Sequence, residues 1–81
     1  MPKVFEWNGY RFFFYSNEGN PKEPCHIHVR RGDQVAKFWV YPVVGVASSW
    51  GMNPVELARL SQVVVERADE IRRKWHEYFG A

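Results

Sequence analysis

The dipeptide Asn8-Gly9 limits what this chain can fold into more than any other feature of its sequence. It sits between Val4–Trp7 and Tyr10–Tyr15, two runs rich in aromatic residues. A two-residue type I′ turn needs positive φ at both central positions, and Asn-Gly adopts that conformation at little cost. A hairpin is therefore expected, with Trp7 opposite Tyr10, Glu6 opposite Arg11, Phe5 opposite Phe12 and Val4 opposite Phe13. One face carries Phe5, Trp7, Tyr10, Phe12 and Phe14. The other carries Val4, Glu6, Arg11, Phe13 and Tyr15. Both faces hold large apolar groups, so cover on both sides is expected. Glu6 and Arg11 are expected to form a cross-strand ion pair.

A second hairpin follows around Gly32-Asp33, between Cys25–Arg31 and Gln34–Tyr41. With a two-residue turn, Arg31 faces Gln34, Arg30 faces Val35, Val29 faces Ala36, His28 faces Lys37, Ile27 faces Phe38 and His26 faces Trp39. Side chains two apart on a strand share a face. Cys25, Ile27, Val29, Ala36, Phe38 and Val40 then make an apolar side. His26, His28, Arg30, Val35, Lys37, Trp39 and Tyr41 make the other. Between the hairpins, Ser16 to Pro24 reads as an exposed loop, the least ordered part of the chain, because Asn17, Gly19, Asn20, Pro21 and Pro24 are turn formers. Pro42 ends the last strand. Val43 to Ala47 reads as a short edge strand or an extended connection, weakened by Gly45, and Ser48 to Met52 reads as a loop.

Asn53-Pro54-Val55-Glu56 marks a helix start. Asn53 is an N-cap, Pro54 fits the first helical position, Glu56 completes a capping box, and Met52 and Leu57 occupy the staple positions. Leu57, Leu60, Val64, Ala68, Ile71, Trp75, Tyr78 and Phe79 then fall on one stripe at helical spacing. The stripe keeps its phase, so one helix is expected, with Gly80 as its stop and the β-branched run Val63-Val64-Val65 as its weak point. Such a helix is about 39 Å long and overhangs a small sheet. The expected fold is α+β: a four-stranded antiparallel sheet of two hairpins with one long C-terminal helix packed on one face. The 81 residues form one domain, with hairpins over 1–42, a connection over 43–52 and the helix over 53–79.

Six Phe, four Tyr and four Trp are more aromatic residues than a minimal core of this size needs. With the overhanging helix, they point to a homodimer or an obligate complex. A net charge of +2 is too small to argue for nucleic acid without a patch. A lone cysteine excludes an internal disulfide and fits a reducing compartment. No run is long and apolar enough to span a membrane, and Met1-Pro2-Lys3 leads straight into a strand, so a cytoplasmic protein is expected.

His26 and His28 are the candidate catalytic residues. Imidazole titrates near neutrality, and Arg30 and Lys37 on the same face could hold a phosphate, the outline of a metal-independent ribonuclease. The alternative is two solvated or hydrogen-bonded histidines with no chemistry. A closed metal site needs three or four ligands. Here His76 lies far off on the helix, Cys25 points to the wrong face, and Glu23 and Asp33 sit at loop ends. A metal-free, cofactor-free protein is expected. Arg30-Arg31 beside Trp39 and Tyr41 could form a nucleic-acid surface, or a solvated turn beside two interface aromatics. Cys25 reads as a small core residue. The face with His26, His28, Arg30, Lys37, Trp39 and Tyr41 is expected to be the functional surface.

Several segments together carry a resemblance. They are Met-Pro-x-Val-Phe at the start, Gly-Tyr-Arg-Phe-Phe-Phe-Tyr-Ser-Asn-Glu-Gly at 9–19, Glu-Pro-Cys-His-Ile-His-Val at 23–29, Ala-Lys-Phe-Trp at 36–39 and Trp-His-Glu-Tyr-Phe-Gly at 75–80. The chain resembles the "domain of unknown function 4160" family over nearly its whole length. Members usually carry a second proline before the first histidine, where this chain has Cys25. The resemblance implies a small prokaryotic protein, encoded next to a small partner and grouped with toxin–antitoxin components. It implies no catalytic mechanism. The favoured expectation is an accessory or toxin-like component of a two-gene module that works by binding a partner protein. The ribonuclease and a non-catalytic nucleic-acid-binding module are the alternatives.

Overall fold

A computed structural model describes residues 2–17 and 23–80. Its elements are β1 (Lys3–Trp7), β2 (Tyr10–Phe13), β3 (His26–Arg31), β4 (Gln34–Trp39), β5 (Gly45–Trp50), α1 (Pro54–Glu66) and α2 (Ala68–Phe79). The strands form one antiparallel meander in the order β1-β2-β3-β4-β5. Residues 18–22 of the expected Ser16–Pro24 loop lie outside the described residues.

Asn8 and Gly9 take φ of 50° and 80°, as the turn requires. Trp7 faces Tyr10, Glu6 faces Arg11 and Phe5 faces Phe12, but a bulge then places Lys3, not Val4, opposite Phe13. Glu6 bonds Lys3 at 2.8 Å instead of pairing directly with Arg11. In the second hairpin all six expected pairs, from Arg31–Gln34 to His26–Trp39, are present. The hairpins join through β2 and β3, with Arg11 opposite Arg30, Phe12 opposite Val29 and Phe13 opposite His28.

The fold departs from expectation in two places. The sheet has five strands, not four, because Gly45–Trp50 pairs along β4. Without it the outer edge of β4 would leave its backbone groups unpaired, and the chain returning along that edge is already extended. Pairing outweighs the poor strand propensity of Gly45, Ser48 and Ser49. A bulge between Val46 and Ser48 absorbs the residue that has no partner, Ala47. The helical stretch is also two helices, not one. Arg67 leaves helical geometry (φ −111°, ψ 18°), just after the β-branched run. Its guanidinium lies 3.8 Å from the Phe5 ring centre and bonds Glu70 at 3.0 Å. The backbone bonds from Arg67 N to Val63 O and from Ile71 N to Arg67 O, both 3.0 Å, carry the hydrogen-bond ladder through the break. The longest extent of the chain is 33 Å, so no 39 Å rod overhangs the sheet. The helices therefore leave no overhanging end for a partner to cover.

Both helices lie on the apolar side of the sheet. Leu60, Val63 and Val64 of α1 and Ala68, Ile71 and Trp75 of α2 are buried against Phe5, Tyr10, Phe12, Phe14, Ile27, Val29, Ala36, Phe38 and Val40. Val63, off the expected stripe, is buried, whereas Tyr78, on it, is exposed. Gly80 caps α2 in the left-handed conformation.

One carboxylate ties this layer to the sheet. Glu56 accepts hydrogen bonds from the Tyr10 hydroxyl of β2, from Arg31 of β3 at 3.1 Å and from Gln34 of β4 at 3.1 Å. It also closes the capping box, with Glu56 N donating to Asn53 Oδ1 at 2.7 Å and Asn53 N donating to Glu56 Oε1 at 3.4 Å. The Tyr10 hydrogen bond, with smaller contributions from Asn53, Arg31 and Gln34, holds the Glu56 carboxyl below its ordinary range against the opposing effect of burial. A depressed carboxyl pKa stabilises the fold above its unfolded value, and that contribution is lost as pH falls through the folded value. The folded protein should therefore lose stability on acidification below about pH 4.5. Urea unfolding of Glu56→Gln should show lower stability at pH 7 and a flatter profile through this acid range. A variant profile as steep as wild type would contradict the assignment.

Candidate functional site

The strand register sets out the side of the sheet that the helices leave uncovered. One row across it reads Glu6, Arg11, Arg30, Val35 and Trp50, and the next reads Lys3, Phe13, His28, Lys37 and Ser48. The last holds His26, Trp39 and Gly45. The expected grouping of His26, His28, Arg30, Lys37 and Trp39 on one face is therefore observed.

The face is not uniformly open. At the His26 end, aromatic and imidazole rings cover it. The His26 ring lies 5.2 Å from His28, 5.6 Å from Trp39 and 5.0 Å from Trp75 of α2, centre to centre. His28 stacks on Phe13 at 5.7 Å and meets Tyr15 edge-on at 4.5 Å. His26 is 0% exposed. Its Nδ1 sits 3.0 Å from the Pro24 carbonyl oxygen, which only accepts, so Nδ1 carries the proton. The two histidines thus belong to a ring cluster at the end of the sheet that joins the main core through Trp75.

The expected binding residues divide. Lys37 pairs with Glu23 at 3.6 Å and places its ammonium 4.6 Å from the Trp39 ring centre, so both are engaged within the fold. Arg30 is exposed at the turn end of the face. Tyr41 leaves the face. Val40 N and Tyr41 N both donate to Cys25 O, at 2.8 and 3.4 Å, and this doubled pairing turns the chain out of the strand. The Tyr41 ring lies instead near the Arg72 guanidinium of α2, and is 59% exposed. Arg72 also donates to Val40 O at 2.8 Å.

Cys25 is buried, and burial pushes its thiol up to about 11, with Arg72 opposing slightly. A thiol in that state is a packing group, not a nucleophile. Among the described residues, no three His, Cys, Asp or Glu side chains are grouped so as to hold a metal ion.

The second exposed feature is the β5 edge. Residues 38–55 contain no charged side chain. Among the described residues, five of the eight exposed large hydrophobic side chains fall in that stretch, Val46 and Trp50 on β5 itself, Tyr41 and Val43 just before it and Val55 at the start of α1. Trp50 is 67% exposed. The opposite edge, β1, carries Lys3 and Glu6.

A family profile described as "Domain of unknown function (DUF4160)" matches residues 9–76. The chain belongs to this family. Comparisons with curated proteins and with solved structures give no match. Among the described residues, no helix of this DUF4160 chain is long and apolar enough to cross a membrane.

The matched region spans both features, the ring cluster and the uncharged edge. Sequence reasoning missed the edge, although its signal, eighteen consecutive residues without a charge, is in plain view. It also missed the meeting of Arg11 and Arg30, which belong to different hairpins and come together only through the β2–β3 pairing.

Filling the His26 site is a matter of packing, so His26→Ala should cost about 2–4 kcal/mol, in the range of buried large-to-small changes. His28→Ala, at a half-buried position, should cost about 1 kcal/mol. Urea unfolding followed by tryptophan fluorescence measures both. A His26→Ala variant as stable as wild type would contradict the enclosed position.

Proposed function

We propose that this chain is a protein-binding component of a small prokaryotic two-gene module of the toxin–antitoxin kind, working in the cytoplasm, and that it docks its partner through the β5 edge. The uncharged stretch from Phe38 to Val55 carries this reading. Depletion of charge with retention of aromatic residues is the composition of an interface centre. The exposed side chains of Val46 and Trp50 add apolar surface of the kind that marks a contact site. Strand edges are ordinarily guarded by charges, bulges or cover. β1 has its charges, whereas β5 has only a bulge. In the absence of the partner the same edge pairs two copies, which accounts for the homodimer suggested by the aromatic excess.

The geometry favours binding over catalysis. A general acid or base must come within about 3 Å of the group it serves. His26 is enclosed by three rings, and Lys37 is held by Glu23 and Trp39. The ribonuclease reading needs both of them at the surface.

Co-expression with the product of the neighbouring gene, followed by affinity measurement, tests the proposal. Trp50→Lys and Val46→Glu alter side chains that already face solvent, so both variants should fold with near-wild-type stability. Each should weaken the complex by about 2 kcal/mol or more, roughly thirty-fold. Wild-type affinity in both variants would overturn the proposal.

A further inference from the structure

Arg11 and Arg30 face each other directly across β2 and β3. Both are exposed and lie on the side of the sheet away from the helices. Cross-strand partners are about 4.5–5.5 Å apart at Cα, and like charges directly opposite one another are unfavourable. The one nearby carboxylate offsets the conflict only in part: Arg11 acts on Glu6 through space, as the smallest of the causes that lower its carboxyl. Glu6, the neighbour of Arg11 in the same row, bonds Lys3 at 2.8 Å. Among the described residues, neither guanidinium makes a hydrogen bond or ion pair. Arg31, next in sequence, is committed to Glu56 at 3.1 Å and lies over the Tyr10 ring at 4.3 Å.

The two arginines line a cleft of about 310 Å³, bounded by Glu6, Arg31 and the turn glycines Gly9 and Gly32. Both glycines take positive φ, and a Cβ at Gly32 would meet nothing within 4 Å, so the mouth of the cleft is open there. Among the described residues, the cleft's one carboxylate, Glu6, is bonded to Lys3 and carries a single charge against two guanidiniums. A carboxylate offers two oxygens and one charge, enough for a single fork. A phosphoryl group offers three or four oxygens in tetrahedral arrangement and up to two charges, enough for both. The cleft also has room for whatever the phosphoryl group is attached to.

We propose that the Arg11–Arg30 cleft is a binding site for the phosphoryl group of a small phosphorylated molecule. The site lies at the turn end of the sheet and is separate from the partner-docking edge. Phosphate binding relieves the opposition of the two guanidiniums, so ligand and cross-strand pair are coupled.

Calorimetric titration at low ionic strength, with inorganic phosphate, a phosphate monoester, acetate and a ten-nucleotide single strand, tests the site. Phosphate and the monoester should saturate one site, and acetate should not. Arg11→Gln and Arg30→Gln should each weaken binding at least ten-fold, while Lys74→Gln, distant on α2, leaves it unchanged. Phosphate should raise the thermal midpoint of wild type and leave that of the double variant unmoved. Without ligand the double variant should melt no lower than wild type, because it removes a repulsion. Absence of saturable phosphate binding, or equal binding by the double variant, would overturn the proposal. Tighter binding of the oligonucleotide than of the monoester through the same arginines would overturn the small-molecule assignment.

Discussion

The Glu56 carboxylate holds the architecture in register. It accepts from β2, β3 and β4 through Tyr10, Arg31 and Gln34, and it fixes the first turn of α1 through Asn53. Gln34 adds a bond to Gly51 O at 3.0 Å, which pins the end of β5 to the same point. The stacked Trp7–Tyr10 pair and the Arg31 guanidinium over Tyr10 surround this point with rings. A helix that starts here can run back only across the apolar side of the sheet. The break at Arg67 then keeps it there, since Phe5 draws the Arg67 guanidinium inward and Trp75 reaches the far end. Burial, capping and charge pairing agree at this junction, which is what gives a short chain a single folded state.

With the helices fixed on one side, the other side must be handled by the sheet's own residues. At one end the rings of Phe13, Tyr15, His26, His28 and Trp39 pack on one another, with Trp75 closing over His26. Imidazoles suit this position because a flat ring fills space while one nitrogen satisfies a backbone carbonyl, here that of Pro24. At the turn end, Arg11 and Arg30 are exposed among the described residues. Along the β5 edge, the side chains are uncharged and in part exposed. The surface thus divides into a closed ring cluster, an open cationic cleft and an apolar edge, each with different chemistry.

Local signals made the two hairpins legible. Asn8-Gly9 and Gly32-Asp33 set turn lengths, and strict alternation set the faces, so nine of the ten expected cross-strand pairs, Val4–Phe13 being the exception, are found. The helix start was equally legible, because a capping box is a contact within four residues. β5 was legible only as one of two alternatives for Val43 to Ala47, and its second half read as loop, because its strand character comes from the β4 edge beside it and not from Gly45 or the serines. At the break, Arg67 meets Phe5, sixty-two residues earlier in the chain, and no helical periodicity reports that contact. The candidate face was assembled correctly from alternation, but alternation does not say what lies above a face. Trp75 comes from α2 to cover His26, and a doubled bond to Cys25 O turns Tyr41 away.

The central functional claim is that the uncharged β5 edge, and not the histidine face, meets the partner protein. Hydrogen–deuterium exchange of the chain alone and in complex with the product of its neighbouring gene tests this residue by residue. The account predicts that, in chain dilute enough to be monomeric, the amides of residues 45–50 that are not bonded to β4 exchange readily and gain protection in the complex, with those of His26 to Arg30 unchanged. Gained protection confined to α2 or to the Arg11–Arg30 end, with residues 45–50 still exchanging freely, would contradict it.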